Sequence, residues 1–129
     1  MFDIVSRIPP RARRVVQLGC ERGEAGEAFL RIQPDADYWG FETKPEAVRE
    51  ASDRIQHALL AQPEELDFAK AGLYQADAMI IGGDYLRGMT AERLKQWTGI
   101  LSEDGTLLLL LRNAGYLRNI LTQLAARQP

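Results

Sequence analysis

Gly19 and Gly23 stand directly after a short β-branched run, Val15-Val16-Gln17-Leu18, and Glu42 lies 23 residues past Gly19. Glycines at a strand-to-helix turn let the backbone bend sharply and come close to a ligand. A carboxylate about 20 residues further on, at the tip of a second strand, is placed to accept both hydroxyl protons of a ribose. Each feature alone has a plain reading, a structural glycine or a solvated glutamate. Together, in a βαβ context, they point to an adenosine-type ligand.

Glu21 narrows the choice. The dinucleotide fingerprint needs a glycine at that place, where a glutamate would repel a pyrophosphate and crowd the backbone. The chain also has no Gly-Lys-Ser/Thr ending, which removes the P-loop nucleotide hydrolases. S-adenosylmethionine has no phosphate and carries a sulfonium cation, so it tolerates a nearby carboxylate. Other residues are weighed by type. His57 is a candidate base, but it begins a strand and is read as structural. Cys20 is read as a small packed residue. Arg11, Arg13 and Arg14 precede a strand and fit a solvated turn.

The elements that must position these residues follow from short apolar runs alternating with amphipathic ones. Strands are expected at Val15–Leu18, Tyr38–Glu42, His57–Ala61, Ala76–Ile81 and Thr106–Leu111. Glu24–Arg31 reads as a helix with acidic residues in its first turn. Thr43 and Glu46 form a capping-box pattern, with Pro45 in the first turn of a helix to about Ile55. Thr90 caps a helix to about Leu101 that turns Leu94 and Trp97 inward, and Asp104-Gly105 makes a turn into the fifth strand. Leu117, Ile120, Leu121 and Leu124 mark one face of a last helix. Such alternation predicts an α/β fold, a parallel sheet with helices on both faces. The unbroken apolar fourth and fifth strands agree, since parallel strands are covered on both sides. Ligands of such sheets bind beyond the carboxyl ends of the strands.

The chain of 129 residues reads as a single domain, 1–129. A net charge of -2 and a pI near 5.4 offer no basic face to a nucleic acid. With Cys20 the only cysteine, an internal disulfide or a cysteine-based zinc cluster is excluded, and no metal is expected. There is no secretion-signal pattern and no apolar run near the roughly 20 residues of a membrane span. A cytoplasmic protein with no membrane partner is the expectation.

Val16-Gln17-Leu18-Gly19-Cys20-Glu21-Arg22-Gly23 resembles the first motif of the class I S-adenosylmethionine-dependent methyltransferases. Gly40-Phe41-Glu42 is similar to their acidic second-strand end, and Gln62-Pro63-Glu64-Glu65-Leu66 stands where that family contacts adenine. Ala76–Ile81 and Glu103–Leu108 resemble their fourth strand and the turn into their fifth; the likeness spans residues 14 to 116. Leu111–Tyr116 is similar to the post-strand segment of bacterial methyltransferases linked to cell-surface polysaccharide synthesis. The resemblance implies a Rossmann-like sheet of about five strands in order 3-2-1-4-5, without the C-terminal β-hairpin of the full-length enzymes. It implies S-adenosylmethionine held by Gln17, Gly19, Cys20, Glu21, Gly23, Glu42, Thr43, Gln62, Pro63, Gly82 and Gly83. Of the residues available, Asp84 and Tyr85 best fit beside the methyl group as catalytic candidates.

The departures are part of the pattern. Gln17 replaces an acidic residue, Glu21 a glycine and Gln62 an aspartate, while Arg87 and Gly88 stand where many relatives carry Glu-His. The reading is a methyltransferase acting on an unidentified acceptor, a sugar or other small molecule. Two alternatives stay open. A non-catalytic module for assembly or regulation is favoured by Glu21, Arg87, Gly88 and the short C-terminus; a nicotinamide oxidoreductase is disfavoured by Glu21. Without the hairpin, the apolar run Thr106–Leu111 would form an exposed edge. A second copy in a homo-oligomer, a partner protein or the rest of a longer polypeptide is expected to cover it.

Overall fold

Alternation with a period of two decides how the strands bury themselves. Val15, Ala78 and Ile80 turn to one face of the sheet, and Val16, Leu18, Met79 and Ile81 to the other; all seven are fully buried. The computed structural model describes residues 4–111. Within them are β1 (Arg14–Leu18), α1 (Glu24–Ile32), β2 (Asp37–Glu42), α2 (Pro45–Ala51), β3 (His57–Leu60), β4 (Ala76–Ile81), α3 (Ala91–Thr98) and β5 (Leu101–Leu109). The five strands form one sheet in the order β3-β2-β1-β4-β5, and every neighbouring pair is parallel. The expected order holds, with β5 at an edge.

Helices cover both faces. Phe29 of α1 and Ala51 of α2 enter the core layer that holds Val15, Tyr38 and Ile80. Leu94 and Trp97 of α3 enter the opposite layer with Val16, Phe41 and Met79. Thr90 caps α3 as expected, its hydroxyl accepting from Arg93 N–H at 3.1 Å. Among the described residues no helix is long and apolar enough to cross a membrane. The last expected helix, with Leu117, Ile120, Leu121 and Leu124, lies outside the described residues.

Several expectations about element ends and caps are corrected. The capping box of Thr43 and Glu46 does not form: Lys44 precedes α2 and no side chain caps it, because the Thr43 hydroxyl lies against carboxylates instead. The same helix ends at Ala51, not Ile55; a turn over 52–54 then drops Ile55 into the core. α3 likewise stops at Thr98, and β5 begins at Leu101 rather than Thr106. The Asp104-Gly105 turn is folded into that strand as a bulge: Leu101 pairs with Ala76 and Thr106 with Ala78, so the intervening residues loop out. Leucines on both sides of the bulge pack against the α3 layer, Leu101 before it and Leu107 after it, which keeps the segment in one strand.

Candidate functional site

The order of the sheet reverses between β1 and β4, so the loops leaving those two strands run to opposite faces and open a crevice at their tips. The chain there is drawn tight. Gly19 has φ +92°, and a Cβ on it would lie 2.6 Å from the Gly82 carbonyl oxygen at the end of β4. Gly82 in turn donates its N–H to the Leu18 carbonyl at 2.9 Å. Glycine at 19 is thus required by backbone-to-backbone contact before any ligand is considered.

Between Gly19 and Gly23 the loop turns over the tip of β2. Gly19 and Cys20 both donate N–H groups to the Phe41 carbonyl, at 2.8 and 3.1 Å. Glu21 adopts a left-handed φ of +52°, the one non-glycine residue to do so among those described. That twist aims its N–H at Glu42 Oε1, at 2.8 Å. Glu42 Oε2 accepts from the Thr43 N–H at 2.7 Å. Glu42 is 6% exposed, and Gln17 is the other buried polar residue among those described. A buried carboxylate is tolerated only where donors surround it, and here the backbone supplies them.

Beside Glu42 lies an open groove of about 360 Å³. Glu21, Arg22 and Glu24 line it from the first loop, Glu42 from β2, and Lys44, Glu46 and Ala47 from the start of α2. The lining carries four carboxylates and two cationic side chains, and Arg22 is already paired with Glu50 at 3.1 Å. Of the residues expected to hold the cofactor, Glu21 and Glu42 line the groove. Arg22, Glu24, Lys44, Glu46 and Ala47 were missed. The rule that ligands sit beyond strand ends pointed to them, since they closely follow Gly19 and Glu42 in the chain.

A hydrogen-bonded chain links further candidates to Glu42. The Thr43 hydroxyl lies 3.2 Å from Glu42 Oε2 and 2.9 Å from Asp84 Oδ2. The Gln62 amide donates to the Thr43 carbonyl at 3.1 Å, and its own N–H donates to Glu65 at the short turn Pro63–Glu65. Asp84 Oδ1 pairs with Arg87 at 3.3 Å. Gly83, at φ +58°, has open space around it, whereas Gly82 is packed against Leu110.

Three candidates are turned away from the groove. Tyr85 is fully buried against Trp97, and its hydroxyl donates to the Ala61 carbonyl at 2.5 Å. Burial, then the Glu42 charge, pushes that phenol well above its ordinary value, so Tyr85 is a core residue, not a base beside the groove. The Gln17 amide oxygen accepts from the buried Tyr38 hydroxyl at 2.6 Å, inside the layer covered by α1 and α2. Cys20 places its sulfur over Gly40, where a Cβ would lie 2.7 Å from Sγ. Burial, with the charge of Glu42 next, pushes the thiol up to about 12. Only the backbone of Cys20 belongs to the loop.

His57 stands at the opposite end of the sheet. It stacks on Trp39 with ring centres 3.9 Å apart and pairs with Asp37 at 2.8 Å. Asp37 also accepts from the Trp39 indole at 2.8 Å and from Arg14 at 3.1 Å. Arg14, Asp37 and His57 are the first residues of β1, β2 and β3, so the cluster is remote from the crevice. Among the described residues no group of three His, Cys, Asp or Glu is arranged to hold a metal.

No protein-family model matches the chain. Solved structures do. A TehB-like SAM-dependent methyltransferase from Corynebacterium glutamicum superposes with a TM-score of 0.72 at 13% identity, covering 94% of this chain and 69% of its own. The fold is that of the class I methyltransferases. A precorrin-6y C5,15-methyltransferase from Geobacter metallireducens gives a TM-score of 0.67 at 18% identity, over 88% of this chain and 62% of that one. A plantazolicin methyltransferase in complex with SAH gives 0.61 at 19%, over 92% and 45%. The chain thus spans between 45% and 69% of the length of these three structures.

Proposed function

We propose that the groove beside Glu42 binds S-adenosylmethionine and that the protein is a methyltransferase for a small acceptor. The observation that carries this is the Glu42 carboxylate, buried at the tip of β2 with one backbone N–H on each oxygen and lining the groove. A ribose diol donates to both oxygens of such a carboxylate. The chemistry of the lining fits the donor: the excess of carboxylates suits a sulfonium and an ammonium, and Arg22 and Lys44 suit a carboxylate. When bound, S-adenosylmethionine supplies a methyl group already activated on sulfur. The protein's task is then to hold the acceptor in line, and positioning supplies much of the rate.

A second reading, a binding module without turnover, is supported by the state of the two catalytic candidates. Asp84 is engaged by Thr43 and Arg87, and Tyr85 is sealed in the core. An acceptor that deprotonates readily needs no base and reconciles this arrangement with catalysis. In either reading the β5 edge is proposed to meet a second copy, a partner protein or further polypeptide, and sedimentation as a stable monomer at high concentration argues against the second copy.

Titration calorimetry with S-adenosylmethionine and S-adenosylhomocysteine tests the pocket, with Glu42→Gln as the variant and thermal melting to verify its fold. Binding by the wild type that is lost in the variant supports the pocket. A wild type that binds neither compound sinks it. Transfer of the donor's methyl group to a candidate acceptor separates the enzyme from the module.

A further inference from the structure

A carboxylate has about four acceptor positions, two on each oxygen. At Glu42, Oε1 already accepts from the Glu21 N–H and Oε2 from the Thr43 N–H. One position is left on each oxygen, which is what a ribose diol requires. The Thr43 hydroxyl competes for the second of these. It lies 3.2 Å from Oε2, and when its single proton points there, that oxygen has nothing left to accept a sugar hydroxyl.

The same hydroxyl has an alternative acceptor, Asp84 Oδ2, at 2.9 Å. Asp84 is itself held from the other side, its Oδ1 paired with Arg87. Resting on the donor-site reading above, we propose that Asp84 is a positioning residue for donor binding, acting through Thr43. By accepting the Thr43 proton it clears Oε2 of Glu42 for the ribose. Occupancy of the diol then commits that proton to Asp84, and by linkage the two events favour each other equally. Residues beyond two different strand tips, β2 and β4, are thereby coupled without Asp84 touching the sugar.

The test is a double-mutant cycle read by calorimetry with S-adenosylhomocysteine. Asp84→Ala removes one of the two carboxylate acceptors of the Thr43 hydroxyl and leaves Glu42 Oε2, so binding should weaken by about 3- to 10-fold, the worth of one hydrogen bond. In a Thr43→Val background the competing proton is gone, and adding Asp84→Ala should change the affinity by less than about twofold. Thr43→Ser, which restores the hydroxyl, should restore the dependence on Asp84. Thermal melting of each variant establishes that it is folded. Equal losses from Asp84→Ala in the wild-type and Thr43→Val backgrounds, or none in either, overturn the coupling while leaving the pocket standing. No binding by the wild type overturns the pocket itself.

Discussion

Glu21 donates its backbone N–H to Glu42 Oε1 at 2.8 Å from a left-handed conformation, φ +52°, that side chains rarely adopt. The twist orients the loop's N–H towards the buried carboxylate while the Glu21 side chain stays exposed on the groove wall. A non-glycine residue in this region costs about 1–2 kcal/mol. Strain of that kind persists where the surroundings enforce it, and it concentrates at ligand sites.

Glu21→Gly separates the two roles of that residue. Relief of the left-handed strain, offset by the greater freedom of glycine in the unfolded chain, should raise stability by about 0.5–1 kcal/mol in urea unfolding. The loss of one exposed charge from the groove should also shift its ligand preference. S-adenosylmethionine carries a sulfonium that S-adenosylhomocysteine lacks, so the ratio of their affinities should move about 2- to 5-fold against the cation. The shift should be largest at low salt. Unchanged ratios at low salt would show that the Glu21 carboxylate does not face the bound donor.

Gly19 and Gly88 both have positive φ, at +92° and +68°, but their surroundings differ. A Cβ at 19 meets the Gly82 carbonyl oxygen at 2.6 Å, and at 88 it meets nothing within 4 Å. Gly88→Ala should therefore cost about 1 kcal/mol, the conformational strain alone. Gly19→Ala should cost more than about 2 kcal/mol, because two backbones at the strand tips must also separate. Denaturant midpoints for the two variants compare them directly; equal costs would mean that the β1 and β4 tips yield easily.

Much of this arrangement is legible in the sequence, and the failures have physical causes. The strand at Ala76–Ile81 and the order of the sheet follow from apolar runs alternating with amphipathic ones, a local signal, together with the family resemblance. The bulge in β5 is not local: Asp104-Gly105 reads as a turn by composition, and only the pairing of both Leu101 and Thr106 with β4 places it inside a strand. Asp84 and Tyr85 part company because they share a 3-10 turn, Gly83–Tyr85, in which successive side chains point about 120° apart. Asp84 reaches Thr43 while Tyr85 enters the core. Gln17 follows Val15 to the face covered by α1 and α2, as a period of two requires, and the Tyr38 hydroxyl meets its amide there.

The burial that raises the Cys20 thiol to about 12 makes a prediction about its reactivity. At pH 8 the native thiol should stay protonated and shielded, so a disulfide reagent such as dithionitrobenzoate should label it only as fast as the structure opens. In denaturant the same thiol should react far faster. Gly40→Ala, which places a methyl group within 2.7 Å of the sulfur, should accelerate native labelling by loosening that contact. Rapid labelling of the native wild type would mean that the loop carrying Cys20 is open in solution.

At the far end of the sheet, Asp37 ties β1, β2 and β3 together through Arg14, Trp39 and His57. Partial burial works against its charge, but the Trp39 indole, His57 and Arg14 outweigh it and hold the carboxyl below its ordinary value of 3.8. A depressed value means that the folded protein binds a proton at Asp37 less readily than the unfolded chain does. Its contribution to stability is therefore complete above about pH 4 and is lost as pH falls through the folded-state value. Asp37→Asn should lower the melting temperature at pH 7 and flatten the acid limb, so that wild type and variant converge as pH falls through the folded-state value. With 33% of the Asp37 side chain exposed, the difference at neutral pH should be on the order of 1 kcal/mol. Parallel melting curves for the two proteins from neutral to strongly acidic pH would show that the cluster contributes no pH-linked stability.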